Sequence, residues 1–484
     1  MAKASIWQRI KRAFKRAYEG ASPRDGWRPR RAGASANTDH RADARPLRDR
    51  ARALYQNVPY VTRGVDGLVA ARVGSGVKIY SKAASKRTKK RYEALLNQWQ
   101  WECDADGIRS LDAIVVDAER ACVVDGECLI RRRIRQGGVM PLKLQLLEID
   151  WLDSTKIGPT AGGGQIVNGI EYDSIGRVAA YWLYDSHPGD AARAGRIASQ
   201  PVPAKDIIHY FAPNRPGQGR GVTRLHSIIA RVRDLSLYED AELARKNLES
   251  RMGIIASGNA DSLAQPLPGA STVTQTQLAA GDLGQIPSGG IVEIPAGLNV
   301  TAFEPKSPPG YVETVKFQLH LISAGLGVPY YVATGDVKEV NFSSARIRET
   351  DYKRDTESHR WMNSVPRLLR PICAWFADAV ELMDGTPADY AWDYTFPRWD
   401  YVNPKQDVEA ERAVLESGMD SLSETIRRRG LEPSEVFAEM ASDYKALESS
   451  GAIKLMQLLM KTPAAQPVPP SDSAGTQDQD TSQP

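Results

Sequence analysis

The chain has 484 residues, a mass of 53.2 kDa and a net charge of +4, from 63 lysines and arginines against 59 acidic residues. Its 42% hydrophobic and 25% charged residues are near the globular average and exclude a fibrous or wholly disordered protein. No apolar run reaches about 18 residues, so we expect no membrane-spanning helix. The four cysteines, none in a Cys-x-x-Cys pair, indicate free thiols in a reducing compartment.

The first 50 residues are strongly basic. They contain 14 Lys and Arg and 5 Asp and Glu, a balance of +9, which leaves the other 434 residues at −5. Within this stretch, residues 5–18 alternate basic residues with apolar ones at helical spacing, the pattern of a short basic amphipathic helix. We expect residues 1–49 to be a largely flexible arm that either binds nucleic acid or an acidic protein or remains a solvated tail.

Helical periodicity begins near residue 46. It continues to Val73 with an interruption at Pro59. Gly74 and Gly76 are expected to end it, because glycine adopts the left-handed cap conformation at little cost. Two more helices are predicted over 86–102 and 108–124.

The pattern changes after the turn dipeptide Asp125-Gly126. Short segments rich in Leu, Ile, Val and Tyr follow, separated by turns that contain glycine and aspartate. This predicts an antiparallel sheet with short connections. The predicted strands are 127–135, 142–149, 166–172, 177–184 and 206–211.

A long charged helix is predicted from Leu225. It covers about 28 residues, roughly 40 Å of helix at about 1.5 Å per residue. Charged residues on its other faces argue against full burial. A polar, glycine-rich stretch follows over 257–290, and then two short strands over 291–295 and 300–305.

The last third of the chain is predicted to be mostly helical. One helix covers 310–325, and a longer one covers 343–381. Pro366 and Pro371 predict a kink or break in the longer helix, because proline removes a backbone hydrogen bond. Beyond Thr462 the composition is that of a disordered tail.

The sequence carries no recognisable catalytic motif. It has no phosphate-binding Gly-x-x-x-x-Gly-Lys-Ser/Thr loop, and the glycines of GQGRG (217–221) lack the spacing of a dinucleotide fingerprint. The six histidines occur singly, without zinc-ligand spacing. We therefore expect no catalytic residues, no metal and no cofactor, and a component of an assembly rather than an enzyme.

Five stretches of the sequence are specific when read together and in order. They are NVPYVTRGVDGLVAARVGSGV (57–77), VVDGECLIRRR (123–133), DIIHYFAPNRPGQGRGVTRLHSII (206–229), RVRDLSLYEDAELARKNLES (231–250) and GYVETVKFQLHLISAGLGVPYYVATGDVKEVNFSSARIRETDYKR (310–354). With these stretches the chain resembles the lambda family of phage portal proteins, the head–tail connectors. The resemblance covers about 50–460, and the last stretch is its most specific part.

The resemblance implies an α+β portal fold with a wing, a helical stem, a small α/β clip and a helical crown. It also implies assembly as a ring, a dodecamer, at one vertex of the capsid. Mapped by element order, the regions are wing 50–222, stem helix 223–253, clip 254–308, returning stem helix 309–326, tunnel loop 327–342, long helix 343–385, crown 386–461 and disordered tail 462–484.

The resemblance further implies a set of partners. Double-stranded DNA would pass through the ring without sequence-specific contacts, pumped by the separate terminase large subunit and later ejected. Other implied partners are the major capsid or scaffold protein and the head-completion or tail adaptor proteins, with the clip candidate 257–290 as a partner-facing surface. No membrane is involved. The implied location is the capsid vertex of the virion, and the host cytoplasm during assembly.

Two groups of residues are candidates under this resemblance. The tunnel-loop residues nearest the DNA would be Lys338, Glu339, Val340, Asn341 and Phe342. The charged faces of the stem helix would contact neighbouring subunits through Arg231, Arg233, Asp234, Glu239, Asp240 and Arg245, since ring closure requires two different patches per subunit.

Two other classes of protein stay open from the residues alone. A nuclease-like DNA-processing enzyme would use the basic arm to grip its substrate, but it needs a Mg²⁺-binding carboxylate cluster whose spacing we do not find. A peripheral membrane protein would dock through residues 5–18.

Overall fold

The computed structural model describes residues 33–190, 198–251, 310–338, 342–399 and 404–452. The chain divides into two compact units, Met1–Tyr394 and Thr395–Pro484. Helices and strands both contribute, so the α+β prediction is confirmed. No helix in the described ranges is both long and apolar enough to cross a bilayer. The basic helix at 5–18, the clip at 254–308 and the tail beyond Thr462 lie outside the described residues.

The first unit contains most of the described elements. Its helices are α1 (Ala36–Asn57), α2 (Pro59–Val73), α3 (Lys86–Trp99), α4 (Leu111–Val124), α5 (Ile229–Arg251), α6 (Tyr311–Leu326), α7 (Tyr330–Thr334), α8 (Phe342–His359) and α9 (Arg370–Asp384). Its strands are β1 (Lys78–Ser81), β2 (Glu127–Ile134), β3 (Leu142–Glu148), β4 (Gly158–Pro159), β5 (Gln165–Val167), β6 (Ile170–Tyr172), β7 (Val178–Tyr184), β8 (Ser199–Pro203), β9 (Ile207–Phe211) and β10 (Trp392–Thr395).

The described strands form three sheets rather than the single sheet that the sequence suggests. β2 lies between β3 and β9 and is antiparallel to both. β4 to β8 form an antiparallel meander in chain order, and β1 pairs with β10. A short 3₁₀ turn at Ile149–Trp151 separates the first two sheets.

Two details of the meander differ from the sequence prediction. The predicted strand 166–172 is a hairpin, because Asn168 (φ 51°) and Gly169 (φ 83°) form a tight turn that separates β5 from β6. The strand β8 was not predicted, since it contains Pro201 and Pro203. Proline is tolerated there because β8 is an edge strand, and Pro159 occupies the opposite edge in β4.

The first helix corrects the expected extent of the flexible arm. α1 starts at Ala36, ten residues before the predicted start, with the Ser35 side chain accepting a hydrogen bond from the Thr38 N–H. His40 and Arg48 on this helix are buried. The helix is too polar to show an apolar period, and tertiary contacts through these side chains stabilise it instead.

The core of the first unit is helical. α2 runs through it and ends before Gly74, as predicted, with the Gly74 N–H bonded to the Ala70 carbonyl. Gly74 has a positive φ of 65°, but its ψ of −134° is not that of the expected left-handed cap. The inner ends of α5 and α6 join the same core. Its fully buried members include Val61, Val65, Leu68, Val69, Val123, Leu225, Ile228, Val232, Leu235, Ile322 and Leu326.

The long helix predicted over 343–381 is interrupted as Pro366 suggests. α8 ends at His359, a π-helical segment covers Arg360–Leu369, and α9 continues to Asp384. The π segment accommodates Pro366, which lacks the N–H that a regular α-helix would require.

The second unit contains further helices, in line with the helical crown that the resemblance implies. They are α10 (Pro404–Glu416), α11 (Leu422–Arg428) and α12 (Pro433–Ser449). The expected crown start, 386, falls inside the first unit: the Tyr92 hydroxyl donates to the Pro387 carbonyl at 3.1 Å and accepts from the Asp389 N–H at 3.1 Å.

Candidate functional site: a helix pair and its return segment

The helices α5 and α6 form an antiparallel pair, called here the helix pair. Near its base a Cβ on Gly325 would lie 2.3 Å from Ile228 Cγ2, so glycine permits the close crossing. Further along, Arg231 donates to the Gln318 side chain at 2.7 Å. The rings of Tyr238 and Tyr311 then stack with centroids 5.7 Å apart.

The outer half of the helix pair exposes large apolar side chains. Leu243 and Phe317 are each 61% exposed, and Leu237 and Val312 are each 56% exposed. The sequence analysis assigned the contacts of α5 with neighbouring subunits to charged residues, and it missed the exposed apolar residues on α5 and α6. The available signal was that Leu237 and Leu243 fall outside the apolar series that faces the core. Contiguous patches of exposed apolar side chains mark surfaces that another protein covers, whereas single exposed apolar side chains are common on any protein.

The six charged candidates on α5 divide into two groups. Arg231 is bonded within the chain, to Gln318, and Arg245 is bonded to Glu242. Glu239 is half-buried, and burial together with Asp240 raises its pKa. The second group, Arg233, Asp234 and Asp240, is exposed, and Arg231 of the first group is exposed as well.

Residues 327–338, called here the return segment, leave the helix pair. Its first part is docked, not loose. Val332 sits against α2, where a Cβ on Gly67 would lie only 2.4 Å from Val332 Cγ1. The Tyr330 ring stacks on His320 at 4.1 Å. Within the expected tunnel loop, Tyr330–Thr334 is therefore a packed helical turn, and Gly67 on α2 leaves room for it.

The second part of the return segment begins at Gly335, in the left-handed conformation (φ 76°). Lys338 is exposed, and its backbone N–H donates to Asp336 Oδ1 at 3.1 Å. The tunnel-loop candidates Glu339, Val340 and Asn341 lie outside the described residues, and Phe342 is described only as the first residue of α8.

The buried carboxylate of Glu119 connects several helices and one strand of the first unit. Glu119 is fully buried and accepts hydrogen bonds from Tyr210 (2.5 Å), Ser364 (2.6 Å) and Arg72 (3.1 Å), with His359 Nε2 also at 3.1 Å. Burial alone would raise its pKa, but His359, Arg72 and Ser364 outweigh it and hold the pKa far below the ordinary value. Because both oxygens are occupied, the group fixes α4, β9 and the π segment together.

A second buried carboxylate connects α1 with the central strand β2. Glu127 accepts from both Nε and Nη2 of Arg220, from the Gly221 N–H at 2.8 Å, and lies 2.8 Å from His209 Nε2. His40 Nε2 is 3.7 Å away. Burial raises the pKa of Glu127, but Arg220 and the histidines hold it well below its usual range. Both carboxylates join segments far apart in sequence, so spacing could not reveal them.

One acidic cluster has the donor types of a metal site. Oxygen and nitrogen atoms of Glu148, Asp150 and His187 lie within 4.8 Å of one another. Arg48 and Arg52 already bind Asp150 at 2.7 and 2.8 Å. These guanidinium groups neutralise the carboxylates, so the cluster is a surface ion-pair network.

Comparison with known proteins identifies the family. A model of "Phage portal protein, lambda family" matches residues 21–360, more than half of the chain. A probable portal protein of Halomonas phage phiHAP-1 is 25% identical over 465 residues, 91% of this chain and 88% of that protein. The portal protein of Escherichia phage N15 is 19% identical over 315 residues, 58% of this chain and 59% of its own length.

Among solved structures, a chain of the virion of a native gene transfer agent particle aligns with a TM-score of 0.45 and 17% identity, covering 81% of this chain and 94% of that one. The family match rests on the sequence, and it spans the helix pair, the return segment and both buried carboxylates. The chain belongs to the lambda family of phage portal proteins.

Proposed function

We propose that copies of this chain close into a dodecameric ring at one vertex of a phage capsid, around a passage for double-stranded DNA. The portal role itself follows from membership of the family. A closed ring needs head-to-tail contacts between two different surfaces of the subunit. The observation that carries the proposal is the helix pair, whose outer half exposes Leu237, Leu243, Val312 and Phe317.

The charged candidates complete this proposed interface. Arg233, Asp234 and Asp240 are exposed on α5, where they can pair with charges on the adjacent copy. Arg231 and Arg245 support the helix pair from within the chain. Apolar contacts supply most of the association free energy, at about 25 cal/mol per Å² buried, and the charges fix the register.

The proposed DNA contact is weak and independent of sequence. Lys338 is exposed at the end of the return segment, next to Glu339, Val340 and Asn341. A moving duplex cannot be held tightly, and contacts to phosphates carry no base readout. The charge of −5 outside the first 50 residues also favours sliding over binding.

The proposed division of labour leaves bond chemistry to other proteins. The terminase large subunit would supply ATP-driven translocation while docked at the clip, 254–308. The head-completion proteins would bind the same surface after packaging. The wing, 50–222, would face the capsid or scaffold protein. In this proposal the chain is a conduit, not an enzyme, assembled in the host cytoplasm and retained in the virion.

Light scattering and negative-stain microscopy of the purified full-length chain test the ring. We expect closed rings for the natural sequence and monomers with native circular dichroism for Leu243→Glu and Phe317→Glu. Ile175→Glu is the matched control, because Ile175 is 72% exposed in a hairpin turn of the meander. Rings formed normally by both helix-pair variants would contradict the proposed interface.

The conduit and the nuclease interpretations differ in one simple assay. Plasmid DNA incubated with the chain and Mg²⁺ should stay intact. Cleavage that is lost on substituting carboxylates would contradict the conduit.

Shortening residues 335–342 should impair DNA packaging or retention while rings still form. An equal loss of rings would mean that this stretch supports assembly.

A further inference from the structure

A cavity of about 250 Å³ lies where α2, the end of α6 and α8 meet. It belongs to the first unit, at the base of the helix pair. A smaller cavity of about 150 Å³ adjoins it and shares Arg72, Arg224 and His359. The larger cavity is lined by Leu68, Arg72, Arg224, Gly327, Tyr352, Asp355, Thr356, Ser358, His359 and Asn363.

Arg72 contributes a buried guanidinium to the cavity. The residue is only 6% exposed. Its Nη1 donates to Glu119 at 3.1 Å, but its Nε has no hydrogen-bond partner among the described residues. A buried guanidinium N–H without an acceptor is costly, and such groups are normally bonded to protein, water or an ion.

Arg224 brings a second guanidinium to the mouth of the same cavity. Its Nε donates to the Leu326 carbonyl at 2.9 Å, which leaves the Nη groups for the cavity. A Cβ on Gly327 would lie 2.2 Å from Arg224 Nη2, so glycine makes the space for this side chain. Desolvation and the neighbouring Arg72 lower the pKa of Arg224, and Asp355 acts in the opposite direction. The residue as a whole is exposed, so its guanidinium lies where the cavity opens to solvent.

Arg72 is already paired with Glu119 at 3.1 Å, and Asp355 in the cavity wall attracts Arg224. Asp355 is the carboxylate that lines the cavity, and within the described ranges no acidic oxygen lies within 4 Å of an Arg224 nitrogen. Ser358 and Asn363 add polar groups. Two guanidinium groups facing one open space are the arrangement that binds oxyanions with paired hydrogen bonds.

We propose that this space, named here the arginine cavity, binds a small tetrahedral oxyanion such as inorganic phosphate between Arg72 and Arg224. The oxyanion would accept from the free Nε of Arg72 and from the Nη groups of Arg224. It would thereby join α2 to the 3₁₀ turn Arg224–Ser227 that precedes α5, and stabilise the base of the helix pair.

Thermal unfolding of the purified full-length chain in phosphate and in chloride, at equal ionic strength, tests the site. We expect saturating phosphate to raise the Tm by about 2 °C or more. Arg224→Gln should remove this rise. Arg63→Gln is the matched control, since Arg63 is exposed and its Nε also donates to a backbone carbonyl, that of Val332, but it does not line the cavity.

A second variant keeps both arginines in place. Asn363→Asp adds a carboxylate to the cavity wall, which should raise the Tm in chloride and abolish the response to phosphate. Isothermal titration with phosphate should show binding to the natural chain and to Arg63→Gln, and none to Asn363→Asp. A phosphate response that survives in both Arg224→Gln and Asn363→Asp would overturn the proposal. A natural chain whose Tm does not change with phosphate would also overturn it. If Arg224→Gln in addition abolished ring formation, Arg224 would serve a contact between copies instead of binding an anion.

Discussion

The guanidinium of Arg360 donates from Nε to the backbone carbonyl of Arg72 at 2.8 Å, and from Nη2 to that of Ala71 at 2.7 Å. These carbonyls end α2, where no intrahelical N–H is available to them. A side chain that is 3% exposed therefore holds the start of the π segment against the central helix of the core.

Replacing this arginine should destabilise the first unit strongly. Arg360→Gln leaves two buried carbonyls without their donor, and we expect a loss of about 2–4 kcal/mol in the free energy of unfolding. Arg354→Gln is the control, because Arg354 on the neighbouring helix α8 is exposed and should cost no more than about 0.5 kcal/mol. Urea denaturation followed by circular dichroism measures both, and equal values would contradict the role of Arg360.

The buried carboxylate of Glu119 should make stability depend on pH. Its pKa is held far below the ordinary 4.5, so its contribution is fully present above about pH 4.5 and is lost as the pH falls further. Glu119→Gln should cost about 2–4 kcal/mol near pH 7. The difference in the free energy of unfolding between the natural chain and Glu119→Gln should narrow below about pH 4.5.

Urea denaturation at a series of pH values checks this prediction. Asp351→Asn is a suitable control, since Asp351 is 70% exposed and should change stability little at any pH. A difference in the free energy of unfolding between the natural chain and Glu119→Gln that stays constant down to about pH 3 would contradict the lowered pKa, because it would mean that Glu119 has the same pKa in the folded and unfolded chains.

The docking of the return segment depends on the absence of a side chain at Gly67. Gly67→Ala adds a Cβ 2.4 Å from Val332 Cγ1. The overlap should outweigh the helix propensity of about 1 kcal/mol that alanine gains. Hydrogen exchange at the amides of Val332 and Ala333, both bonded to Pro329, should become faster.

A double variant separates this overlap from a general effect on α2. Val332→Ala in the Gly67→Ala background removes the clashing methyl groups and should restore part of the protection. The coupling between the two substitutions should be about 1 kcal/mol or more. Strictly additive effects would show that position 67 acts through α2 alone.

The four thiols should be unreactive in the folded chain. All four cysteines are buried, and burial raises the pKa of Cys103, Cys122 and Cys373 to about 12 and that of Cys128 well above its usual value. Thiolate is the reactive form. A colorimetric thiol assay near pH 8 should detect almost no thiol in the native chain and four in denaturant; rapid modification of any one without denaturant would contradict this.

Much of the fold could be predicted because local signals agree with it. The end of α2 before Gly74, the turn at Asp125-Gly126 and the break near Pro366 each have a backbone cause that acts within a few residues. The start of α1 could not be predicted, because this helix is polar and depends on distant partners: Arg48 bonds Asp150 at 2.7 Å and His40 bonds the Gly221 carbonyl at 2.9 Å.

The site was predictable only in outline. The sequence marks the helix pair and the return segment, but not which part of that segment is docked, since Gly67 and Val332 are far apart along the chain. The partners of Glu119 are equally dispersed: His359 follows it by 240 residues. Single histidines and arginines acquire their roles only when the packed helices bring them together.

The prolines on both edges of the five-stranded meander affect how copies of the chain can contact one another. Pro159 in β4, and Pro201 and Pro203 in β8, cannot donate the backbone hydrogen bonds with which an open edge recruits a foreign strand. Copies of the chain that meet edge to edge therefore lack an easy route to strand-to-strand aggregation. In the proposed ring, association is left to the helices, where its geometry can be controlled.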